Sequence, residues 1–177
     1  MTIIAVLSVI SACSLIGIGT ITDTIEEMGV KVDRPASWKT TKLQHDEKYV
    51  DYVIDIPQKN SLPSNVVGHV ALTLSKAIGS EKISIQSEVA GLTKLISKTV
   101  TELKTLEEKD VTFLGIPGKR AILEFRNSED KSIAEKVAVT LTVKDNQTYA
   151  ILLDEDAADF DMQLPVYDKI AGSVRFK

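Results

Sequence analysis

The chain has 177 residues, a formal net charge of −4 and a single cysteine. This length suits one domain preceded by a leader, since single domains cluster near about 100–150 residues. Both signs of charge are interspersed after residue 22, so the chain lacks the basic stripe that nucleic-acid binding needs. One cysteine excludes an internal disulfide framework and a cysteine-based zinc cluster, because both need several thiols.

The first 22 residues contain no charged side chain. Their length matches a membrane-spanning helix of about 20 residues, and the acidic residues that follow favour export of the body of the chain. The run Ile10-Ser11-Ala12-Cys13 resembles the lipobox of exported prokaryotic lipoproteins, in which a peptidase cuts before a cysteine that becomes lipidated. Residues 1–22 are therefore predicted to be a signal peptide with lipid attachment at Cys13, or an uncleaved anchor helix. Both alternatives place the domain at the extracytoplasmic face of the cell membrane.

The folded domain is predicted to span residues 34–177, after a polar tether over residues 23–33. Trp38 supplies a large apolar anchor near its start. Apolar residues then alternate over residues 52–56 and again over 70–74, which predicts two antiparallel strands joined by a loop.

The next stretch changes its period and predicts an amphipathic helix, with Ser84 or Ser87 as its N-cap. Its apolar residues fall at three- and four-residue steps: Val89, Leu92, Ile96, Val100 and Leu103.

The remainder of the chain predicts a meander of strands followed by a helix. Strands are expected over residues 111–113, 121–125, 137–143 and 149–153, with turns at 114–118 and 144–147. The final helix carries Phe160, Leu164, Tyr167, Ile170 and Ala171 on one side, and Pro165 is expected to limit its regular part to either flank. Val174 and Phe176 return to an extended end.

This order of elements predicts an α+β fold, in which a single antiparallel sheet is covered by helices. Four stretches, PASW, FLGIPGKRAILEF, DNQTYAILL and LPVYDKIAGSVRF, resemble in order and spacing the PsbP-like family, the fold of the photosystem II oxygen-evolution accessory protein. The resemblance covers about residues 33–177. It implies an α/β/α sandwich, commonly exported or lipid-anchored in prokaryotes, with roles in binding and assembly. A nuclear-transport cofactor that binds a small GTPase shares the fold, so the fold transfers no partner.

The sequence offers no recognisable catalytic constellation, and the protein is predicted not to be an enzyme. The two histidines, His45 and His69, lie in a predicted polar loop and on the less apolar face of a predicted strand. Neither stands in a motif for nucleophilic catalysis, and no phosphate-binding, dinucleotide-binding or zinc-helix motif is present. No cofactor is therefore expected.

Two charged stretches are candidate contact points. The acidic run from Asp154 to Asp161 carries five carboxylates, which can hold a hard cation such as calcium, but carboxylates at a helix start more often serve as caps. Lys119 and Arg120 follow the glycine turn and form a second candidate, although exposed charges at a strand start are usually solvated.

These observations predict a membrane-anchored, extracytoplasmic, non-catalytic accessory protein that binds or assembles a membrane protein complex. The alternative is a solute- or cation-binding lipoprotein, with a weak divalent-cation site at the acidic run. The predicted partners are thus the membrane, through the N-terminal anchor, and a protein in a membrane complex.

Overall fold

A computed structural model describes residues 19–46, 49–55, 71–78, 83–98, 100–127 and 134–177. The strands are β1 (Thr20–Ile25), β2 (Val30–Pro35), β3 (Lys39–Asp46), β4 (Tyr49–Asp55), β5 (Ala71–Ile78), β6 (Val100–Phe113), β7 (Ile116–Asn127), β8 (Ala134–Lys144), β9 (Gln147–Asp156) and β10 (Arg175–Phe176). The helices are α1 (Ile85–Ile96) and α2 (Ala157–Ser173).

The fold is α+β, as predicted, but the described strands form two sheets rather than one. The larger sheet has seven strands in the order β3-β4-β5-β9-β8-β7-β6, and the smaller has three in the order β1-β2-β10. All pairings are antiparallel. The prediction of a single sheet is wrong because β2 pairs with β10, which lies at the opposite end of the chain and gives no local sequence signal.

Helices cover both faces of the seven-stranded sheet. Because successive strand residues point to opposite faces, Ile151 and Leu153 of β9 enter one apolar cluster, whereas Ala150 and Leu152 enter another. The first and larger cluster includes α2 and the three-stranded sheet, and the second includes α1. The two helices therefore lie on opposite sides of the sheet.

Helix α2 is fixed tightly to its face of the sheet. Four of its residues are buried: Phe160, Val166, Tyr167 and Ile170. The Tyr167 hydroxyl lies 2.7 Å from Thr140 Oγ1 and donates to the Ile151 carbonyl at 3.1 Å. The helix runs unbroken through Pro165, so the expectation that Pro165 limits its regular part is wrong. Buried residues on both sides of the proline hold the two halves against the same sheet.

Residues 20–35, which include the expected tether over 23–33, are part of the folded structure. Strands β1 and β2 pair from Thr20 opposite Pro35 to Ile25 opposite Val30, and the connecting turn contains Gly29 at φ +68°. These strands and their turn contribute four side chains to the main core: Ile25, Met28, Val30 and Val32. The sequence suggested a tether here because the stretch has few apolar residues, and charged residues alternate with them.

The two glycines of the predicted turn at 114–118 serve different purposes. The turn itself is Leu114–Gly115, both at positive φ, and Gly115 adopts φ +78°. Gly118 instead lies within β7, where an added Cβ would come within 2.6 Å of the Leu141 carbonyl oxygen. The second glycine is therefore needed for a close approach of two strands. The other predicted turn is confirmed, with Asp145 and Asn146 both at positive φ.

We expect Gly118→Ala to lower the free energy of unfolding by about 1–2 kcal/mol, because the clash is with backbone and a strand must shift. Gly91→Ala is the matched control. Gly91 lies in α1 with no atom within 4 Å of the added Cβ, so there the alanine should raise stability by about 0.5–1 kcal/mol. Urea unfolding of both variants tests this; equal effects would contradict the close packing of β7 on β8.

Candidate functional site

Helix α1 forms where the apolar stripe predicted it, although it ends earlier. Ser84 is the N-cap, with the Ser87 N–H donating to Ser84 Oγ at 3.1 Å and the Ser84 N–H donating to Ser87 Oγ at 3.0 Å. Val100 and Leu103 belong to β6, so the prediction that they continue the helical stripe is wrong. Their spacing matches a helix by coincidence, since both are half-buried strand residues.

Helix α1 packs against the sheet through half-buried residues only. Ile85, Val89 and Leu92 pack against the smaller apolar cluster, yet α1 has no buried residue. Polar bonds fix its amino-terminal end: Thr148 Oγ1 donates to Glu88 Oε2 at 2.7 Å, and the Ile83 N–H donates to Asn146 Oδ1 at 3.2 Å. Contacts this sparse leave most of the helix surface open to solvent.

An open groove of about 490 Å³ runs beside α1, between the helix and strands β6 and β7. Residues along one side of α1 line one wall, and residues of β6 and β7 line the other. The lining residues are Gln86, Val89, Ala90, Thr93, Lys94, Ser97, Thr105, Glu108 and Lys119. The groove thus combines small side chains with a few charges and spans the length of the helix.

Lys119 and Lys94 are the cations of the groove, and their environments differ. Lys119 Nζ lies 2.9 Å from Asp110 Oδ1 and 3.7 Å from Glu108 Oε1, and the hydrogen bond to Asp110 raises the pKa of Lys119. Lys94 is exposed in the last turn of α1. Beside it in sequence Leu95 is 62% exposed, one of four exposed large apolar side chains in the described residues. We call the groove together with Leu95 the α1 surface.

Lys119 and Arg120 do not form one contact point, which corrects that candidate. They are consecutive in β7, so they point to opposite faces of the sheet. Arg120 Nη1 donates to Asp168 Oδ1 of α2 at 2.6 Å, and its guanidinium lies 5.8 Å from the centre of the Tyr167 ring. Arg120 therefore ties α2 to the sheet. Of the two residues, only Lys119 borders the groove.

The acidic run is divided between the two faces of the sheet and the start of α2. Asp154 lies on the α1 side, whereas Glu155 lies on the α2 side and is buried. Burial, together with neighbouring carboxylates, raises the pKa of Asp154 to about 6 and of Glu155 to about 7. Asp156 occupies the N-cap position of α2, but its side chain makes no capping hydrogen bond. Asp156 therefore does not cap the helix through its side chain, as was expected of the acidic run.

The divided carboxylates do not make a cation site in the part of the chain that the structure describes. There, no three His, Cys, Asp or Glu side chains are grouped so as to hold a metal ion. Lys136 Nζ lies 3.6 Å from Asp161 Oδ1, so one carboxylate of the run already has a cationic partner.

Of the remaining residues singled out from the sequence, only His45 lies in the described part of the chain. His45 lies in β3 rather than in the expected loop. His69 and Cys13 fall outside the described residues, and so does most of the predicted leader. Within the ranges given above, no helix is long and apolar enough to cross a membrane.

Sequence reasoning missed the groove, although it predicted the helix that forms one wall. The lining residues on β6 and β7 belong to strands that pair at the far edge of the sheet, and their types are common on any surface. It also missed a cluster in which Arg34 and Tyr52 both bind Asp23, with Tyr52 Oη donating to Asp23 Oδ2 at 2.7 Å. No local pattern links these three positions.

The fold closely matches known structures at low sequence identity. The cyanobacterial PsbP of Synechocystis sp. PCC 6803 has a TM-score of 0.59 and 14% identity over 95% of this chain and 99% of that chain. This chain has the PsbP fold. The fold resemblance inferred from the four sequence stretches is thus confirmed.

Two further structures share the PsbP fold. The Saccharomyces cerevisiae Ran-binding protein Mog1p has a TM-score of 0.58 and 11% identity over 90% of this chain and 96% of that chain. LpqN, involved in cell envelope biogenesis of Mycobacterium tuberculosis, has a TM-score of 0.53 and 12% identity over 91% and 92%. No protein-family model and no curated protein matches the sequence. Identities this low show a shared fold and do not transfer a function.

Proposed function

We propose that the protein is a non-catalytic accessory protein, anchored at the extracytoplasmic face of a cell membrane, that binds a membrane protein complex through the α1 surface. The observation that carries this proposal is the contrast between the two helices. Helix α2 buries four residues in the main core, whereas α1 buries none and borders an open groove. Among the described residues, the side of the sheet that carries α1 therefore offers the more open surface to a partner.

The exposed leucine supports a protein partner for this surface. Leu95 and Lys94 are both exposed in the last turn of α1, where consecutive helical residues point in different directions, so the helix offers an apolar group on one side and a cationic group on another. Protein interfaces typically combine a small apolar centre with a polar rim. The groove, which is lined by Lys94 but not by Leu95, provides a concave surface on another side of the same helix, into which a partner's side chains can pack.

The anchoring part of the proposal rests on the sequence. Residues 1–22 carry no charge, and the lipobox-like run ending at Cys13 offers a lipid attachment point. More than one acyl chain would be needed for stable attachment, because a single chain binds a bilayer only marginally. With an uncleaved helix the same residues would instead span the membrane.

Proteins of the same fold give further support. Mog1p is a Ran-binding protein, and LpqN is involved in cell envelope biogenesis. These roles belong to those proteins, but they are related to the one proposed here: one is binding to another protein and the other is a part in cell envelope biogenesis.

The test is site-specific photo-cross-linking in cells of the protein's own source. Benzoylphenylalanine is placed at Leu95 in the full chain and, as a matched control, at Met162, which is similarly exposed at 59% but belongs to α2. We expect the probe at Leu95 to cross-link to one defined membrane protein and the probe at Met162 to give no such product.

A second pair of variants separates docking in the groove from chance proximity. Ala90→Arg fills the groove from an exposed position of α1, so it should abolish the Leu95 cross-link. Ala158→Arg makes the same change at an exposed position of α2 and should leave the cross-link intact. Cross-linking at both probe sites alike, or at neither, would refute the assignment of the α1 surface.

A further inference from the structure

The described structure leaves almost no linker between the uncharged leader and the folded domain. Strand β1 begins at Thr20, whereas the uncharged segment extends to Thr22. If the leader is an uncleaved membrane helix, the domain begins where the membrane segment ends. The domain then lies against the bilayer rather than at the end of a tether.

Lipid attachment at Cys13 also keeps the start of the folded domain close to the bilayer. Five residues separate Cys13 from Gly19, and an extended chain spans at most about 3.3–3.6 Å per residue, so Gly19 stays within about 20 Å of the lipidated residue. Three of the five are Leu15, Ile16 and Ile18, which favour the membrane interface over water. Both alternatives therefore keep Gly19 within about 20 Å of the bilayer surface.

The surface around Gly19 is made by β1, the end of β2, the turn after it and α2. The Gly19 carbonyl accepts a hydrogen bond from the Ala36 N–H at 2.7 Å, and Ala36 and Ser37 are exposed. Thr20 and Pro35 border a hollow of about 270 Å³ whose other side includes Lys169 of α2. We call this surface, formed by Gly19, Thr20, Pro35, Ala36, Ser37 and Lys169, the Gly19 face.

Charges at and near the Gly19 face suit anionic lipid headgroups. Three carboxylates near the face have cationic partners: Asp23 pairs with Arg34, Asp33 Oδ2 lies 3.1 Å from Arg175 Nη1, and Asp168 Oδ1 lies 2.6 Å from Arg120 Nη1. A fourth, Asp55, lies opposite Lys39 in the register of β3 and β4. Lys169 and, after the turn, Lys39 are exposed. Lysines at a bilayer surface are attracted to anionic lipids.

We propose that the Gly19 face lies against the lipid headgroups of the bilayer that holds the leader, with Lys39 and Lys169 toward anionic lipid phosphates. This inference rests on the proposed anchoring. The α2 side of the seven-stranded sheet carries the Gly19 face, and α1 lies on the other side, so the α1 surface points away from the membrane toward a partner. The orientation follows from the folding of residues 20–35, since a tether would leave the domain free to rotate.

The only tryptophan of the chain provides a native reporter of this orientation. Trp38 follows Ser37 directly, and its carbonyl accepts a hydrogen bond from Arg34 Nη1 at 2.6 Å. The full chain is reconstituted into vesicles of phosphatidylcholine and phosphatidylglycerol at 3:1, with nitroxide on the headgroup or deep in the acyl chain. Trp38 is only 8% exposed, so we expect the headgroup label to quench its fluorescence in part and the deep label to leave it nearly unchanged.

A relocated tryptophan gives the matched control. In the double variant with Trp38→Phe and Leu95→Trp, the reporter lies on the α1 surface and should not be quenched by either label. Lys39→Glu with Lys169→Glu should reduce quenching of Trp38 roughly twofold, because the attraction to phosphatidylglycerol is lost. Lys94→Glu with Lys98→Glu changes charge equally near the end of α1 and should leave quenching unchanged.

The outcomes separate the orientation from the anchoring. Full chain that sediments with vesicles but shows no headgroup quenching of Trp38, or equal quenching at position 95, overturns the proposed orientation and leaves anchoring intact. Full chain that does not sediment with vesicles overturns the anchoring, and the orientation with it. The wild-type measurement needs no substitution, so misfolding of a variant cannot decide the result.

Discussion

A chain that begins at Arg34 is expected not to fold, although the sequence alone places the domain boundary there. Deleting residues 1–33 removes β1, the following turn and most of β2. Four core side chains go with them: Ile25, Met28, Val30 and Val32. Burial of one such side chain contributes about 1.5–3 kcal/mol. Four together approach the entire stability of a typical domain, about 5–15 kcal/mol. Far-ultraviolet circular dichroism and thermal unfolding provide the measurement.

The control for this deletion is a chain that begins at Gly19. It lacks the leader but retains every described strand, so it should unfold cooperatively with the full core. Cooperative unfolding of the chain that begins at Arg34, with a similar midpoint, would show that residues 20–33 are an appendage. The account of the three-stranded sheet would then be wrong, and with it the close approach of the domain to the membrane.

Glu155→Gln is expected to stabilise the protein at pH 8 and to have little effect at pH 4. Burial raises the pKa of Glu155 to about 7 in the folded chain, with Asp159, Asp156 and Asp154 adding to the shift. The ordinary value is 4.5, so the folded state binds more protons between about pH 4.5 and 7. Stability falls as pH rises through that window because the folded carboxyl must ionise against its surroundings. Glutamine avoids this ionisation.

The expected gain from Glu155→Gln is about 2–3 kcal/mol at pH 8, since one pKa unit corresponds to about 1.4 kcal/mol. Glutamine keeps the Oε1 atom that accepts the Asp156 N–H at 3.0 Å. Urea unfolding at pH 4, 6 and 8 gives the profile, and Asp145→Asn in the exposed β8–β9 turn is the control, with a small change in stability expected. A gain of equal size at pH 4 would contradict a raised pKa.

Sequence patterns predicted best the elements whose contacts are local. Strands β8 and β9 alternate cleanly, and their connecting turn has Asp145 and Asn146, which tolerate the left-handed conformation that it needs. The pairing of β4 with β5 was also predicted, with Ile54 opposite Leu72. In each case a short stretch of sequence shows both the alternating apolar residues of the strands and the turn residues that separate them.

The mistaken elements depend on partners far along the chain. The pairing of β2 with β10 joins positions about as far apart as the chain allows, and β2 alone carries charges typical of a linker. The unbroken course of α2 through Pro165 depends on buried residues on both flanks. Tertiary packing there overrides a local signal that usually ends a helix.

The candidate site was predictable only in part for the same reason. The apolar stripe of α1 predicted which side of the helix packs, but not that the helix would remain unburied beside an open groove. Conversely, Lys119 and Arg120 are adjacent in sequence yet lie on opposite faces of β7. Which residues share a surface is set by strand pairing, which a single sequence does not reveal.

The central claim is that the leader holds this domain on the outer side of a membrane, and protease protection in cells of its own source tests it most directly. The full chain should fractionate with membranes, and protease added outside spheroplasts should digest the domain while a cytoplasmic marker stays intact. Incorporation of an alkyne-labelled fatty acid distinguishes the two anchors: the wild-type chain should be labelled and Cys13→Ser should not if lipid is attached at Cys13, whereas neither should be labelled if the leader is an uncleaved helix. Wild-type chain found in the soluble fraction, or a membrane-bound domain protected from external protease, would contradict the account.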